Sequence, residues 1–349
     1  MKNIFVKSYN SEKTHFNQQK KIMKINRIIT VLLLIVFILS ISWTNKGSNS
    51  KSNISDSTSY LQNIKKRGGF NFFIVSDWGW NGYKFQQEVA DEMGVIGDKT
   101  SPKFIVSCGD NFQLQGVASI QDPLWLVNFE NVYKNLSLQV NWYPVLGNHD
   151  YKGNTQAEID YSNISRRWRL ESHYYTFVHK VNDSISVRFI FLDTTPLVDE
   201  YHNGNGYPDI AKQDTAKQIQ WLAGVLADSK EQWKIVFGHH PIFSASKTHG
   251  NTPEMIRKVK PLLEKYNAQF YICGHDHDFQ HLREKNGKVD YIVTGTGGEP
   301  RPASSNDLSV FSGSAPGFSI VSFHGDSINI HFVDSKGRAL YGFSRRFEK

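Results

Sequence analysis

Residues 269–277 read Gln269-Phe270-Tyr271-Ile272-Cys273-Gly274-His275-Asp276-His277, an apolar run that stops at a glycine and is followed at once by two histidines flanking an aspartate. A short run of aromatic and β-branched residues is the signature of a fully buried strand. The same grammar recurs four times upstream. Phe72-Phe73-Ile74-Val75 leads to Asp77-Trp78-Gly79, Phe104-Ile105-Val106 to Gly109-Asp110-Asn111, Tyr143-Pro144-Val145-Leu146 to Gly147-Asn148-His149-Asp150, and Lys234-Ile235-Val236-Phe237 to Gly238-His239-His240. Strand ends are where α/β sheets place their active sites. One such aspartate or histidine alone would be read as a helix cap or a hydrogen-bonded structural residue. Five polar clusters in series read instead as a two-metal hydrolase site.

The donor types fit that reading. Carboxylate and amide oxygens are hard ligands and neutral imidazole suits first-row transition metals, so an Asp/Asn/His set can hold two such ions. His275 and His277 are two positions apart, and on a turn after Gly274 they splay toward different metals.

The order of these clusters resembles the purple acid phosphatases of the calcineurin-like metallophosphoesterases, above all the small tartrate-resistant type. The resemblance runs from about Phe70 to Phe347 and includes Tyr161-Ser162-Asn163-Ile164-Ser165-Arg166-Arg167-Trp168 and Pro261-Leu262-Leu263-Glu264-Lys265-Tyr266. It implies that Asp77, Asp110 and His277 bind a first metal and that Asp110, Asn148, His239 and His275 bind a second, with Asp110 bridging. It also implies an exported acid-phosphatase-like phosphomonoesterase, hydrolysing its ester by in-line attack of a metal-bound hydroxide. A phosphodiesterase or nucleotidase on the same site, and a non-catalytic secreted binding protein with a decayed site, are the alternatives.

One ligand of that family is missing. Where the Gly-Asp-Asn-Phe segment is followed by a metal-binding tyrosine, this chain has Gln113, and Gly79 stands where other metallophosphoesterases supply an extra histidine. Loss of the phenolate removes a negative charge and the donor that best holds iron(III). The expected cofactors are therefore two metal ions, Fe, Zn or Mn, without an iron(III)-tyrosinate centre, and Gln113 is a weak ligand or leaves its place to water.

His149 matches the family position that faces substrate and is assigned to the leaving group or the phosphoryl oxygens; the plainer role is a hydrogen bond to Asp150. Asp150 and Asp276 are expected to orient ligand imidazoles, as carboxylates commonly do. Asn111 and His240 are expected near substrate or as structural loop residues.

Strand signals alternate with helix-like stretches at about 83–93, 213–228 and 253–266, and end in strands at 289–295, 317–323, 327–334 and 338–344. The expected fold is an α/β four-layer sandwich, two mixed sheets face to face with helices outside. Loops 202–208 and 297–307 are expected to ring the pocket. Residues 69–349 form the catalytic domain, 43–68 a Ser/Asn-rich linker, and 1–42 a signal peptide or uncleaved anchor, with Met23 an alternative start. The apolar core Ile28–Ile41 is short for a spanning helix. Without residues 1–42, which hold seven of the 40 basic and one of the 33 acidic side chains, the net charge falls from +7 to +1. A nucleic-acid partner is thus not indicated. Small phosphate esters are the expected partners, membrane contact comes only through the leader, and the protein is expected to be an exported monomer. Cys108 and Cys273 are expected as buried, unbridged thiols.

Overall fold

The computed structural model describes residues 60, 61, 64 and 69–348. The chain divides into units 1–54 and 55–349; the expected leader lies outside the described residues. So does most of the expected linker, but Tyr60, Leu61 and Ile64 within it are buried against the core, and Tyr60 donates its hydroxyl to the Gly337 carbonyl at 3.2 Å. These apolar side chains make that end of the stretch part of the folded domain.

Two sheets carry the fold. The first contains β1 (Asn71–Val75), β2 (Phe104–Ser107), β3 (Asn141–Pro144), β11 (Gly317–His324), β12 (Ser327–Asp334) and β13 (Ala339–Arg346), in the order β13-β12-β11-β1-β2-β3. Strands β1, β2 and β3 are parallel, and the C-terminal three add as an antiparallel meander. The second contains β4 (Tyr175–Lys180), β5 (Ser186–Phe191), β6 (Trp233–Phe237), β7 (Phe270–Cys273), β8 (Phe279–Leu282), β9 (Asp290–Thr294) and β10 (Ser309–Gly313), in the order β10-β8-β9-β7-β6-β5-β4. Its parallel centre, β5-β6-β7-β9, has antiparallel strands at both sides.

The period-two geometry of a strand divides the second sheet's side chains between two cores. Phe189, Phe191, Ile235, Phe237, Phe270 and Ile272 join the core shared with the first sheet, while the alternating Ile190, Val236, Tyr271 and Cys273 join a second core with helices α3 (Thr215–Asp228), α4 (Pro253–Lys258) and α5 (Lys260–Lys265). Between the sheets, Phe189 meets Phe72 and Phe104 edge-on at 5.5 and 5.3 Å between ring centres. Edge-to-face pairs of this kind add about 0.5–1.5 kcal/mol beyond the area they bury. The four-layer sandwich is as expected.

Helix α1 (Gln86–Thr100) buries Val89, Met93 and Ile96, packs beside β11, and stops where Ser101 takes φ 52°. It therefore starts and ends later than the expected 83–93. The expected helix 253–266 is broken into α4 and α5 near Val259, because Pro261 has no N–H to bond the Arg257 carbonyl. A short α2 (Thr155–Asp160) follows β3. Cys108 and Cys273 are buried and unbridged. Among the described residues no helix is long and apolar enough to cross a membrane.

Candidate metal centre

All five polar clusters converge at the carboxyl ends of the parallel strands. Their loops are zipped to one another: the Asp77 amide donates to the Gly109 carbonyl at 3.1 Å and the Gly79 amide to the Asp110 carbonyl at 3.4 Å. Asp77, Asp110 and His275 each adopt a left-handed backbone, with φ of 56°, 50° and 68°. For residues other than glycine this costs of order 1–3 kcal/mol each, and such outliers cluster at functional sites. Gly147 is obligatory for a different reason: a Cβ there would lie 2.2 Å from Asp110 Oδ1.

The donor atoms of the clusters face one another. His239 Nδ1 lies 2.9 Å from the Cys108 carbonyl, which only accepts, so Nδ1 carries a proton and in the neutral ring Nε2 carries a lone pair. That lone pair looks at Asn148 Oδ1 at 3.1 Å, His275 Nδ1 at 3.3 Å and Asp110 Oδ1 at 3.4 Å. Likewise His277 Nδ1 donates to the Glu299 carbonyl at 2.7 Å and Nε2 lies 3.4 Å from Asp77 Oδ1; burial presses this imidazole down, but Asp77 raises it above its ordinary value. In the neutral ring Nε2 presents a lone pair. Asp77 is fully buried and its Oδ1 has no hydrogen-bond donor among the described residues. Two groups of buried acceptors that meet this way repel unless a cation lies between them. The donor set, hard oxygens with imidazole, fits transition-metal ions; Asp110 turns Oδ1 toward His239 and Oδ2 toward His149, and ligand atoms of Asp77, Asp110 and His239 lie within 4.8 Å of one another.

The charges are strongly coupled. Burial pushes the Asp77 carboxyl up, yet the neighbouring His277 and His239 more than compensate and hold it below its ordinary value. Burial presses the His239 imidazole down, but Asp110 and Asp77 bring it above its usual value. His275 and His240 are both driven well down, first by burial and then by neighbouring imidazoles, so both are neutral as a metal ligand must be.

His149 sits at the edge of this centre, with its amide donating to Asp110 Oδ1 at 2.9 Å and its Nε2 3.9 Å from Asp110 Oδ2. Its Nδ1 is 3.1 Å from the Lys152 ammonium, which has three protons and no lone pair. The proton of the neutral ring is therefore on Nε2, facing the centre. His149 makes no bond to Asp150.

Asp150 does not orient an imidazole. Its carboxylate accepts from the amides of Gly147, Phe112 and Asn111 at 2.8, 2.9 and 3.2 Å, tying the Asp110 loop to the Asn148 loop. Burial and nearby Asp110 push its carboxyl up to about 7. Asp276 likewise touches no ligand ring and accepts instead from Ser244 Oγ at 2.5 Å. Backbone carbonyls of Cys108 and Glu299 take the expected orienting role, because the loop peptides reach the rings first. Asn111 is fully buried, accepting from Ser107 Oγ at 2.5 Å and donating to the Val145 carbonyl at 3.0 Å, out of reach of a substrate. His240 is held through Nδ1 by Thr194 at 2.9 Å and through Nε2 by Tyr201 at 3.0 Å, and with His249 and His275 it lines a cavity of about 310 Å³. Gln113 turns its amide nitrogen, not its oxygen, to Asp110 Oδ2 at 3.3 Å.

Sequence reasoning passed over Thr194, whose hydroxyl accepts from the amides of both His239 and His240. A signal was present: Phe189-Ile190-Phe191-Leu192 before Asp193-Thr194 repeats the grammar of the other clusters. Lys152 and Tyr201 carried no such signal.

The model of the calcineurin-like phosphoesterase family matches residues 70–279. Tartrate-resistant acid phosphatase type 5 of Oryctolagus cuniculus is 33% identical over 295 residues, covering 77% of this chain and 89% of that protein. Purple acid phosphatase 17 of Arabidopsis thaliana is 34% identical over 295 residues, covering 81% and 86%. Among solved structures, GAP50, described as the anchor in the inner membrane complex of Plasmodium, superposes with a TM-score of 0.71 at 25% identity over 80% of this chain and 90% of that one. Purple acid phosphatase PPD1 of yellow lupin shares the fold, with a TM-score of 0.59 at 15% identity over 80% and 55%.

Proposed function

The chain belongs to the calcineurin-like phosphoesterases, and we propose that it is an exported phosphomonoesterase of the acid-phosphatase type, using two metal ions held by Asp77, Asp110 and His277 and by Asp110, Asn148, His239 and His275. The observation that carries this is the convergence of Asn148 Oδ1, His275 Nδ1 and Asp110 Oδ1 within 3.4 Å of His239 Nε2 in a buried centre. When bound, two ions would neutralise the phosphate charge and activate the attacking water.

The chain's own residues supply the rest. Asp110, with a ligand atom within 4.8 Å of those of both Asp77 and His239, would join the two donor groups. His149, with Nε2–H directed at the centre by Lys152, donates to the departing ester oxygen or to a phosphoryl oxygen. The phosphorus–oxygen bond to the alcohol breaks, a bond to the water oxygen forms, and the alcohol leaves with a proton. Peptide carbonyls of Cys108 and Glu299 hold the two ligand rings so that little reorganisation accompanies turnover. Export rests on the apolar leader within residues 1–42.

The test is metal content by elemental analysis of protein purified without added metal, with p-nitrophenyl phosphate turnover after chelation and add-back. Near two metals per chain and activity restored by a specific ion support the proposal. Metal bound without turnover of any monoester sinks it and favours a binding protein.

A further inference from the structure

The turn that carries His149 is pinned from the other sheet. His149 follows β3 of the first sheet and Asp193 follows β5 of the second. Tyr151, two residues beyond His149 and fully buried, donates its hydroxyl to Asp193 Oδ2 across that seam. Burial, and then the Asp193 charge, push the Tyr151 phenol well above its ordinary value, so it stays a donor. Asp193 is itself fixed: its amide donates to Gln218 Oε1 and its carbonyl accepts from Gln218 Nε2, both at 2.9 Å, from helix α3. His173 Nδ1 stands 2.8 Å from the same carboxylate oxygen. The Gln213 amide nitrogen, which also donates to the Asp209 carbonyl at 3.3 Å, faces His173 Nε2 at 3.2 Å, so in the neutral ring the proton is on Nδ1 and points at Asp193.

We infer that Asp193, acting through Tyr151, is a positioning residue for His149. This rests on the phosphomonoesterase proposal above, in which His149 donates at the reacting ester. Tyr151 and Lys152 are neighbours in the tight turn Asp150–Lys152, closed by the Tyr151 amide on the Gly147 carbonyl at 3.3 Å and the Lys152 amide on the His149 carbonyl at 3.1 Å. A phenol anchored in the seam holds the peptide between them, and with it the ammonium that sits 3.1 Å from His149 Nδ1. The same post reaches the proposed ligands, because Thr194, the next residue, accepts from the amides of His239 and His240 at 3.2 and 3.0 Å. Proton donor and ligand loop are thereby held from one point. Support of the fold alone does not account for a carboxylate here. Asp193 Oδ1 is buried with no donor among the described residues, and a buried acceptor left so costs about 1–3 kcal/mol, whereas an apolar pair of the same shape is nearly neutral. What the polar pair supplies is direction, and misplacing a reacting group by about 1 Å can lower a rate roughly 10²-fold.

Tyr151→Phe removes one hydroxyl and keeps the buried ring. With metal-loaded full-length protein and ethyl phosphate, kcat is expected to fall about 10- to 100-fold with KM and metal content unchanged. In a His149→Ala background the same substitution should change kcat less than about twofold, since a residue that acts only through His149 has nothing left to position. Asp193→Ala, whose main chain Gln218 still holds, should lower kcat in the same way and lose its effect in the same background. A loss that persists without His149 marks ordinary structural support and overturns the proposal, as does an unchanged kcat in Tyr151→Phe. If no ester is turned over, the phosphomonoesterase proposal is what fails, and the positioning role is judged by the ¹⁵N signals of His149. A single Nε2–H tautomer in the unaltered protein that becomes a mixture in Tyr151→Phe supports it, and the same tautomer in both overturns it.

Discussion

Gln113 donates its side-chain amide to Asp110 Oδ2 at 3.3 Å, so where the resembling phosphatases carry a tyrosine ligand a neutral donor would compete with a metal for the carboxylate proposed to bridge. Gln113→Tyr removes that competitor and adds an anionic oxygen. On loading with iron the variant is expected to retain more iron than the unaltered protein and to gain a visible charge-transfer band, read by elemental analysis and absorbance. A band already present in the unaltered protein would contradict this account of Gln113.

The proton on His149 Nε2 depends on Lys152 occupying Nδ1. His149→Ala is expected to lower kcat by roughly 10²–10⁴ with metal content unchanged. Lys152→Met should lower kcat about tenfold, as loss of an orienting partner does, and shift the ¹⁵N signals of His149 toward a mixture of tautomers. Retention of a single Nε2–H tautomer in that variant would assign the orienting role elsewhere.

At Gly274 an added Cβ would meet Ser76 Oγ at 1.9 Å and Asp77 Oδ2 at 2.4 Å. Gly274→Ala should therefore weaken metal binding about 10- to 100-fold and destabilise the fold by about 1–3 kcal/mol, measured by metal titration and urea unfolding. Gly224, in α3, has nothing within 4 Å of an added Cβ, and Gly224→Ala should stabilise by about 0.5–1 kcal/mol.

Far from the centre, Asp290 accepts from Arg345 Nη1 at 2.6 Å and pairs with His281 Nε2 at 2.9 Å. Burial pushes its carboxyl up, but His281, Arg345 and Arg283 outweigh this and hold it below the ordinary value. A lowered carboxyl contributes stability that is present above its unfolded pKa near 4 and is lost as pH falls through the folded value. Asp290→Asn should cost about 3 kcal/mol at pH 7, because it leaves Arg345 without its carboxylate. The gap from the unaltered protein should narrow at pH 3 to 4 in urea unfolding, and a gap that widens in acid would reverse the sign argued here.

The strand-then-polar grammar made the convergence of Asp77, Asp110, Asn148, His239, His275 and His277 legible, since apolar runs mark strands and five polar clusters in series mark their shared ends. The remainder of the site was hidden where residue type carries no information. The Cys108 and Glu299 carbonyls act as peptides, so any residue could have supplied them. Asp150 looked like an imidazole partner but serves backbone amides, which only the chain's path discloses. Strand β4 escaped because its burial is patchy, and β8, Phe279–Leu282, because Gln280 and His281 interrupt the apolar run. Strand β8 leans on the legible β9, but β4 leans on β5, which the reading passes over too, as it does β10.

The six donors are divided between the sheets. Asp77, Asp110 and Asn148 follow strands of the first, while His239, His275 and His277 follow strands of the second. An ion held by both sets is then a rivet through the seam of the sandwich, and filling it is linked to folding as well as to chemistry. At a free metal concentration a hundred times the dissociation constant, one such ion adds about 2.7 kcal/mol. Chelation should lower the melting temperature of the domain, and the seam should open first at the rim where His275 and Asn148 face His239, while the aromatic packing of Phe72, Phe104 and Phe189 keeps the far end closed.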